Sequence, residues 1–207
     1  MYTLAIDKNG KAWGWGTNLY GELGDNSTVG KSTPIAVCGA HTFCHISAGK
    51  YFTGNAGHSS SIDKNGKAWT WGSNDFGYLG NNSTVSYSTP IAVCGAHTFC
   101  QISCGEHTTL AIDKDGKAWA WGYNYYGSLG NNSTVCYSTP VAVCGAHTFC
   151  QIKALSYNCY ALDNHNNIWA WGPASGGMLG NNVATGNYST PIAVCGLEFG
   201  RLRILMM

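Results

Sequence analysis

The residues best suited to chemistry in this chain are the cysteines and histidines of a repeated frame, Cys-Gly-Ala-His-Thr-Phe-Cys. Six of the ten cysteines lie in three complete copies of this cysteine frame, and a fourth copy keeps only Cys195. Histidine and cysteine at such spacing could hold a metal ion, and two cysteines six residues apart could form a disulfide. The residues concerned are Cys38, His41 and Cys44, then Cys94, His97 and Cys100, then Cys144, His147 and Cys150.

Three interpretations of the cysteine frame stay open at the level of sequence. A disulfide within each frame would join neighbouring repeats and would suit an exported protein. Free, half-buried thiols would instead pack like small apolar side chains. A metal cluster is the least favoured, because zinc takes four ligands and each frame offers three; we expect no metal and no cofactor. Cys104, Cys136 and Cys159 lie outside the frames, and the sequence assigns them no partner.

The remaining polar motifs have plainer explanations than catalysis. Six asparagines stand in Asn-x-Ser/Thr sequences, which could carry glycans in a secreted eukaryotic protein but are also good turn formers; they are Asn26, Asn81, Asn82, Asn131, Asn132 and Asn187. Stretches such as Asp63–Gly66 resemble a calcium loop only faintly and are better explained as hairpin turns. Because no histidine has a serine or carboxylate partner at a recognisable spacing, we expect no enzyme.

Composition and charge restrict the class of protein further. The chain has 207 residues, of which 10% are charged, and its formal net charge is +1. This argues against a nucleic-acid partner held by bulk electrostatics. Aromatic residues make up 13% of the chain, so it must bury a core rather than remain disordered. No apolar run is long enough for membrane insertion, and the first residues show no signal peptide.

The sequence repeats itself about every fifty residues. Lys-Ala-Trp-x-Trp-Gly occurs at 11–16, 67–72 and 117–122, and a drifted copy follows at 167–172. Residues 77–103 and 127–153 differ at only four of 27 positions. An active site needs unlike groups brought together, whereas a uniform array offers one environment several times. The repeat therefore favours a binding or structural protein.

Each repeat predicts short strands. In the third repeat we expect strands at 108–113, 118–122, 140–143 and 149–152, with a tight turn at 114–117. Four strands in about fifty residues with recurrent tryptophan are typical of a β-propeller blade. The two tryptophans of each repeat stand two apart and so share one face. We expect these pairs to form the blade core: Trp13 and Trp15, Trp69 and Trp71, Trp119 and Trp121, Trp169 and Trp171.

The predicted architecture is therefore all-β, a single β-propeller-type repeat domain over 1–207. Its four units cover approximately 1–43, 44–99, 100–149 and 150–198. The first unit lacks its first strand, and residues 199–207 could supply it as a closing strand. Four units allow a closed four-bladed ring, an open arc, or a ring or fibre completed between chains. The plainer alternative is that the chain is a fragment.

The chain resembles the regulator of chromosome condensation repeat family. The resemblance rests on Trp-Gly-x-Asn-x-x-Gly-x-Leu-Gly at 15–24, 71–80 and 121–130, and the fourth copy has Ala174 in place of the asparagine. The family implies a propeller of four-stranded blades, normally seven. Its founding member exchanges nucleotide on a small GTPase and docks on chromatin through basic groups, whereas the only arginines here are Arg201 and Arg203.

These observations predict a non-enzymatic scaffold that binds protein partners or assembles with itself, as a homo-oligomer or fibre. The low charge and the loops rich in asparagine, serine and threonine favour an extracellular, cell-surface or virion setting. The alternatives are an intracellular adaptor or exchange factor for a small GTPase, and a lectin with one sugar site per blade.

Overall fold

The structure is a computed structural model that describes residues 1–49 and 57–195. Within those residues the chain forms four antiparallel sheets, which we call blades 1 to 4. Blade 1 consists of β1 (Tyr2–Ile6), β2 (Ala12–Gly16) and β3 (Lys31–Ala36); blade 2 of β4 (Phe43–Ala48), β5 (His58–Asp63), β6 (Ala68–Gly72) and β7 (Tyr87–Ala92); blade 3 of β8 (Phe99–Cys104), β9 (Thr108–Asp113), β10 (Ala118–Gly122) and β11 (Tyr137–Ala142); and blade 4 of β12 (Phe149–Ala154), β13 (Cys159–Asp163), β14 (Ile168–Pro173) and β15 (Asn187–Ala193).

Every blade is a meander in which each strand pairs with the next one along the chain. The predicted strands at 108–113 and 118–122 are confirmed with the same bounds. The following strand, β11, begins at Tyr137, three residues before the expected start at Pro140. Proline has no N–H to donate, and β11 tolerates it because this strand lies at the sheet edge, paired only with β10.

Blade 1 has three described strands. The proposed closing strand at 199–207 and residues 50–56 lie outside the described residues. Consecutive blades pack directly on one another, β1 against β4, β5 against β8 and β9 against β12. The first strands of blades 2, 3 and 4 also contact one another in order, so they form the inner side of the array.

The second tryptophan of a pair forms the core between blades. Trp71, Trp121 and Trp171 are fully buried. Each indole N–H donates to a backbone carbonyl in the preceding blade: Trp71 to Glu22 at 2.7 Å, Trp121 to Tyr78 at 2.8 Å and Trp171 to Ser128 at 2.9 Å. Burial and a directed hydrogen bond therefore join each of these blades to the one before it.

The other five tryptophans predicted as core are only half-buried. Trp15 is one of them, and the rest are the first members of their pairs. Those four donate their indole N–H to the aspartate that opens the hairpin turn, at 2.9 to 3.1 Å. In Trp69, for example, the acceptor is Asp63, whose other carboxylate oxygen accepts the backbone N–H groups of Asn65 and Lys67. The first tryptophan thus stabilises the hairpin rather than the contact between blades.

The only helical segment in the described part of the chain is a 3₁₀ turn at Ser175–Gly177. Among residues 1–49 and 57–195, no helix has the length and apolar character needed to cross a bilayer.

Candidate functional site

All ten cysteines are free thiols in this structure, and the disulfide considered for each cysteine frame is not formed. The second cysteine of each complete frame is the extra residue of a β-bulge at the start of the first strand of a blade. This bulge directs its sulfur to backbone carbonyls of the neighbouring strand, for instance Cys44 Sγ to Ile62 O at 3.4 Å. Cys100 and Cys150 have equivalent contacts, with Asp113 O at 3.4 Å and Leu162 O at 3.5 Å.

The histidine of each cysteine frame packs on a tryptophan and does not join a ligand set. The ring centroids of His41 and Trp69 are 3.9 Å apart, and His97 and His147 repeat the contact with Trp119 and Trp169. Burial lowers the pKa of His41 and His97, which favours the neutral ring. Across the described residues, no group of three histidine, cysteine, aspartate or glutamate side chains is placed to hold a metal ion.

The feature that the sequence analysis missed is a face built from the loops that follow each Trp-Gly. In blade 3 the buried Asn124 fixes this loop: its side-chain nitrogen donates to Asn131, Ser133 and Val135, and its oxygen accepts the N–H of Leu129 at 2.8 Å. Asn18 and Asn74 bond in the same way in blades 1 and 2. The two residues after each asparagine are exposed. We call the surface formed by residues 17–30, 73–86, 123–136 and 174–186 the loop face.

Aromatic side chains gather on the loop face around blade 3. We define the aromatic cluster as Phe76, Tyr123, Tyr125, Tyr126 and Tyr157. The Tyr123 ring lies within 6.0 Å of the other four, measured between centroids, and its shortest such distance is 4.7 Å, to Tyr125. Tyr125 is 58% exposed and Tyr126 40%. Exposed large aromatics in contact with one another make a patch of the kind that binds other molecules.

One border of the aromatic cluster is a cleft of about 580 Å³ between the loops of blades 3 and 4. Tyr126 and Tyr157 line it with their planes at 82° and their centroids 5.2 Å apart. Pro173 and Met178 add further apolar surface. Ser156 lies in the wall and donates a hydrogen bond to the carboxylate of Glu106.

The electrostatics of the aromatic cluster are simple. Burial raises the pKa of Tyr123 to about 12, and its neighbours Tyr126 and Tyr157 add to the effect. His107, whose ring lies 5.0 Å from that of Tyr157, has its pKa lowered by burial. At neutral pH these groups are uncharged, so the formal charges around the cluster come from carboxylates such as Asp75 and Glu106.

Sequence reasoning missed this site because it concentrated on what the repeats share. The exposed pair after the asparagine is Leu19-Tyr20, Asp75-Phe76 and Tyr125-Tyr126 in successive blades, so it varies within a nearly constant framework. That contrast was visible in the sequence. What the sequence did not show is that Tyr157, from the next blade's inner hairpin, completes the cluster.

Successive antiparallel meanders joined by buried tryptophans, with variable loops on one face, define a β-propeller repeat protein. The family model described as "Regulator of chromosome condensation (RCC1) repeat" matches residues 9–54, 65–112 and 115–162, and a second model of the same description matches 99–128. The chain therefore belongs to the regulator of chromosome condensation repeat family.

Relatives of known sequence share short parts of their length with it. The human E3 ubiquitin-protein ligase HERC2 is 30% identical over 115 residues, which is 54% of this chain but 2% of that protein. The mitochondrial RCC1 domain-containing protein RUG3 of Arabidopsis thaliana is 30% identical over 95 residues, covering 45% of this chain and 20% of RUG3.

Solved structures confirm the fold. Human WBSCR16 superposes with a TM-score of 0.81 at 18% identity, covering 94% of this chain and 51% of that one. Yeast RCC1 (Prp20), in a complex with Kap60, gives a TM-score of 0.79 at 18% identity, covering 94% and 47%. The chain thus spans about half the length of these structures.

Proposed function

We propose that this chain is a non-enzymatic, protein-binding propeller whose binding surface is the aromatic cluster on its loop face. The observation that carries the proposal is the grouping of exposed aromatic side chains at loop positions that vary between blades. Tyrosine and phenylalanine are enriched in the cores of protein interfaces. A rigid framework that displays variable loops is also a common arrangement for binding sites.

The relatives of this chain support a protein as its partner. Yeast Prp20 is described in one solved structure through its binding properties to Gsp1p and histones and is bound to Kap60 in another, so proteins are the partners of that molecule. The alternative of an exchange factor for a small GTPase rests on this kinship alone. An extracellular or virion setting and the lectin alternative rest on composition, and self-assembly rests on the number of repeat units.

The buried polar groups of the inner strands support a structural role rather than catalysis. Cys104 is buried beside Ser60, with 2.9 Å between sulfur and hydroxyl oxygen, and burial raises the pKa of its thiol to about 12. Such a thiol carries almost no thiolate at neutral pH and is a poor nucleophile. His58 is buried against Thr109 at 2.8 Å, and burial lowers its pKa to about 3.

The experiment that tests the proposal is selection of a displayed random-peptide library against the folded protein. We expect enriched peptides that lose at least tenfold in affinity for the double variant Tyr125→Ser/Tyr126→Ser. The matched control is Leu19→Ser/Tyr20→Ser, because those residues hold the same loop positions in blade 1 with similar exposures, 55% and 38%. Peptides that bind both variants equally well, or no enrichment at all, would contradict the proposal.

A further inference from the structure

The two ends of the blades differ in charge. The hairpin turns carry six lysines and five aspartates; these are Lys8, Lys11, Lys64, Lys67, Lys114 and Lys117, and Asp7, Asp63, Asp113, Asp115 and Asp163. The opposite ends carry the loop face. Around the aromatic cluster, residues 72–86, 105–107, 122–136, 155–158 and 173–187 contain the carboxylates Asp75 and Glu106 and no lysine or arginine.

The two carboxylates border the aromatic cluster at different places, the exposed Asp75 beside Phe76 and the buried Glu106 beside the cleft. Asp75 is exposed and immediately precedes Phe76, whose ring is 5.1 Å from Tyr123. Glu106 accepts its hydrogen bond from Ser156 in the wall of the cleft. Lys153 is the lysine nearest in sequence to Tyr157. Its charge contributes to the pKa values of His45 and Cys104, which lie on the inner strands β4 and β8.

Aromatic faces beside carboxylates attract one kind of group above others, an organic cation. A ring quadrupole attracts a cation placed over its face, and the attraction is stronger where water is partly excluded. Arginine fits such a site better than lysine, because its planar guanidinium stacks on rings while its N–H groups reach carboxylates. In the cleft, Tyr126 and Tyr157 offer π surfaces in two nearly perpendicular planes.

We infer that the cleft lined by Tyr126 and Tyr157 binds an arginine side chain of an extended segment of the partner protein, and that the carboxylates of Glu106, beside the cleft, and of Asp75, beside Phe76, supply the opposite charge. This inference rests on the proposed function and names the chemistry of its ligand. It predicts a partner with exposed basic segments. It also predicts weaker binding at high salt, since the exposed charge of Asp75 is screened by ions in solution.

The probe is a synthetic peptide of glycine and serine with one central arginine. The matched control is the same peptide with citrulline in place of arginine, because citrulline is neutral and nearly isosteric. Titration into the isotopically labelled protein, followed by NMR chemical shifts, gives both affinities. We expect the arginine peptide to bind at least about fivefold more tightly, the factor that corresponds to ~1 kcal/mol. Its shifts should fall on the loops around the cleft.

Single substitutions separate the contribution of the aromatic ring from that of the carboxylate to arginine binding. Tyr126→Leu should abolish the preference for arginine, whereas Tyr20→Leu, at the same loop position in blade 1, should preserve it. Asp75→Asn should reduce arginine binding by about twofold or more, while Asp115→Asn, an exposed carboxylate at a hairpin turn, should not. Unchanged thermal unfolding midpoints show that each variant still folds.

The outcomes also separate this inference from the function on which it rests. Equal binding of the arginine and citrulline peptides, or no binding of either at millimolar concentration, overturns the inference. The proposed function survives those results if library peptides still select Tyr125 and Tyr126. If library selection fails and the arginine peptide binds at the cleft, the site is a cation site without general peptide recognition.

Discussion

At the scale of single residues, the buried tryptophan and its hydrogen bond carry the contact between blades. The Trp121 indole is fully buried and bonds to Tyr78 O, which also accepts from Thr109 at 2.9 Å. The carbonyl therefore keeps one donor if the indole is lost. The cost of removing the indole should arise mainly from the cavity and from one lost hydrogen bond.

Trp121→Phe should lower the free energy of unfolding by about 2 kcal/mol, from lost apolar contact and one hydrogen bond. Trp119→Phe is the matched control, because that ring is half-buried and bonds to Asp113 at 2.9 Å. It should cost less than about 1 kcal/mol. Urea unfolding followed by circular dichroism measures both, and equal losses would contradict the roles assigned to the two tryptophans.

His58 predicts a dependence of stability on pH. Its folded pKa is about 3, mainly because burial disfavours the charged ring, with His107 adding repulsion. In the unfolded chain a histidine titrates near 6.5, so the unfolded state takes up the proton first as the pH falls. The contribution of the neutral His58 to the free energy of unfolding is fully present above about pH 6.5. It is lost progressively as the pH falls towards 3, by up to about 1.4 kcal/mol per pH unit.

The measurement is urea unfolding at several pH values between 7 and 4. His58→Gln should flatten the dependence in this window, and His165→Gln, at an exposed position, should leave it unchanged. Carboxylates whose pKa is lowered in the folded protein change the free energy of unfolding at lower pH. That of Asp7, due chiefly to the hydrogen bond from Trp13, affects stability only below about pH 4. Equal slopes for His58→Gln and the parent protein would rule out the histidine as the source.

At the scale of the structural element, the turn that ends the exposed loop in blades 1 to 3 contains a glycine beside a tryptophan of the next blade. Gly80 has a φ of +64°, and a Cβ atom there would lie 2.8 Å from Trp121 Nε1. Gly176 has nearly the same φ, +65°, but nothing within 4 Å of its Cβ position. Replacing either glycine by alanine therefore causes similar backbone strain. Only at position 80 does the new Cβ atom also clash with a neighbouring side chain.

Gly80→Ala should destabilise the protein by about 2 kcal/mol more than Gly176→Ala, because only the first must displace the core indole. Thermal and urea unfolding of the two variants give the difference directly. Similar losses in both would show that the backbone conformation, and not the packing of Trp121, makes glycine necessary at position 80.

The sequence predicted the blades well because their determinants are local. Asp113, the turn glycine at 116 and the alternation of Trp119 and Trp121 specify a hairpin within fifteen residues. The environment of Cys44 was not predictable in the same way. Whether its sulfur faces Cys38 or the Ile62 carbonyl depends on a β-bulge between strands, which residue types alone do not indicate. The aromatic cluster likewise depends on how neighbouring blades pack.

At the scale of the whole molecule, the cysteines report on the fold. Cys44, Cys100, Cys150 and Cys195 are exposed, whereas Cys104 and Cys159 are buried. Burial raises the pKa of both buried thiols, so they should resist alkylation even at alkaline pH. The four exposed cysteines form an external set that a reagent can reach without unfolding the protein.

Thiol alkylation followed by mass spectrometry should give ten adducts per chain after denaturation without reductant. Under native conditions the four exposed cysteines should react first, and Cys104 and Cys159 should react only on unfolding. Peptide mapping identifies the sites. Four adducts after denaturation, with the frame cysteines missing, would instead indicate the three disulfides that the sequence alone left open.

The hydrogen bond from each core indole to the preceding blade also bears on how such a gene can change. Its acceptor is a backbone carbonyl, supplied here by glutamate, tyrosine or serine, so the junction does not depend on the identity of that side chain. Each of these bonds reaches only the adjacent blade. Unequal recombination that adds or removes one unit would leave every remaining junction of this kind intact. The near-identity of residues 77–103 and 127–153 is the trace that such copying would leave.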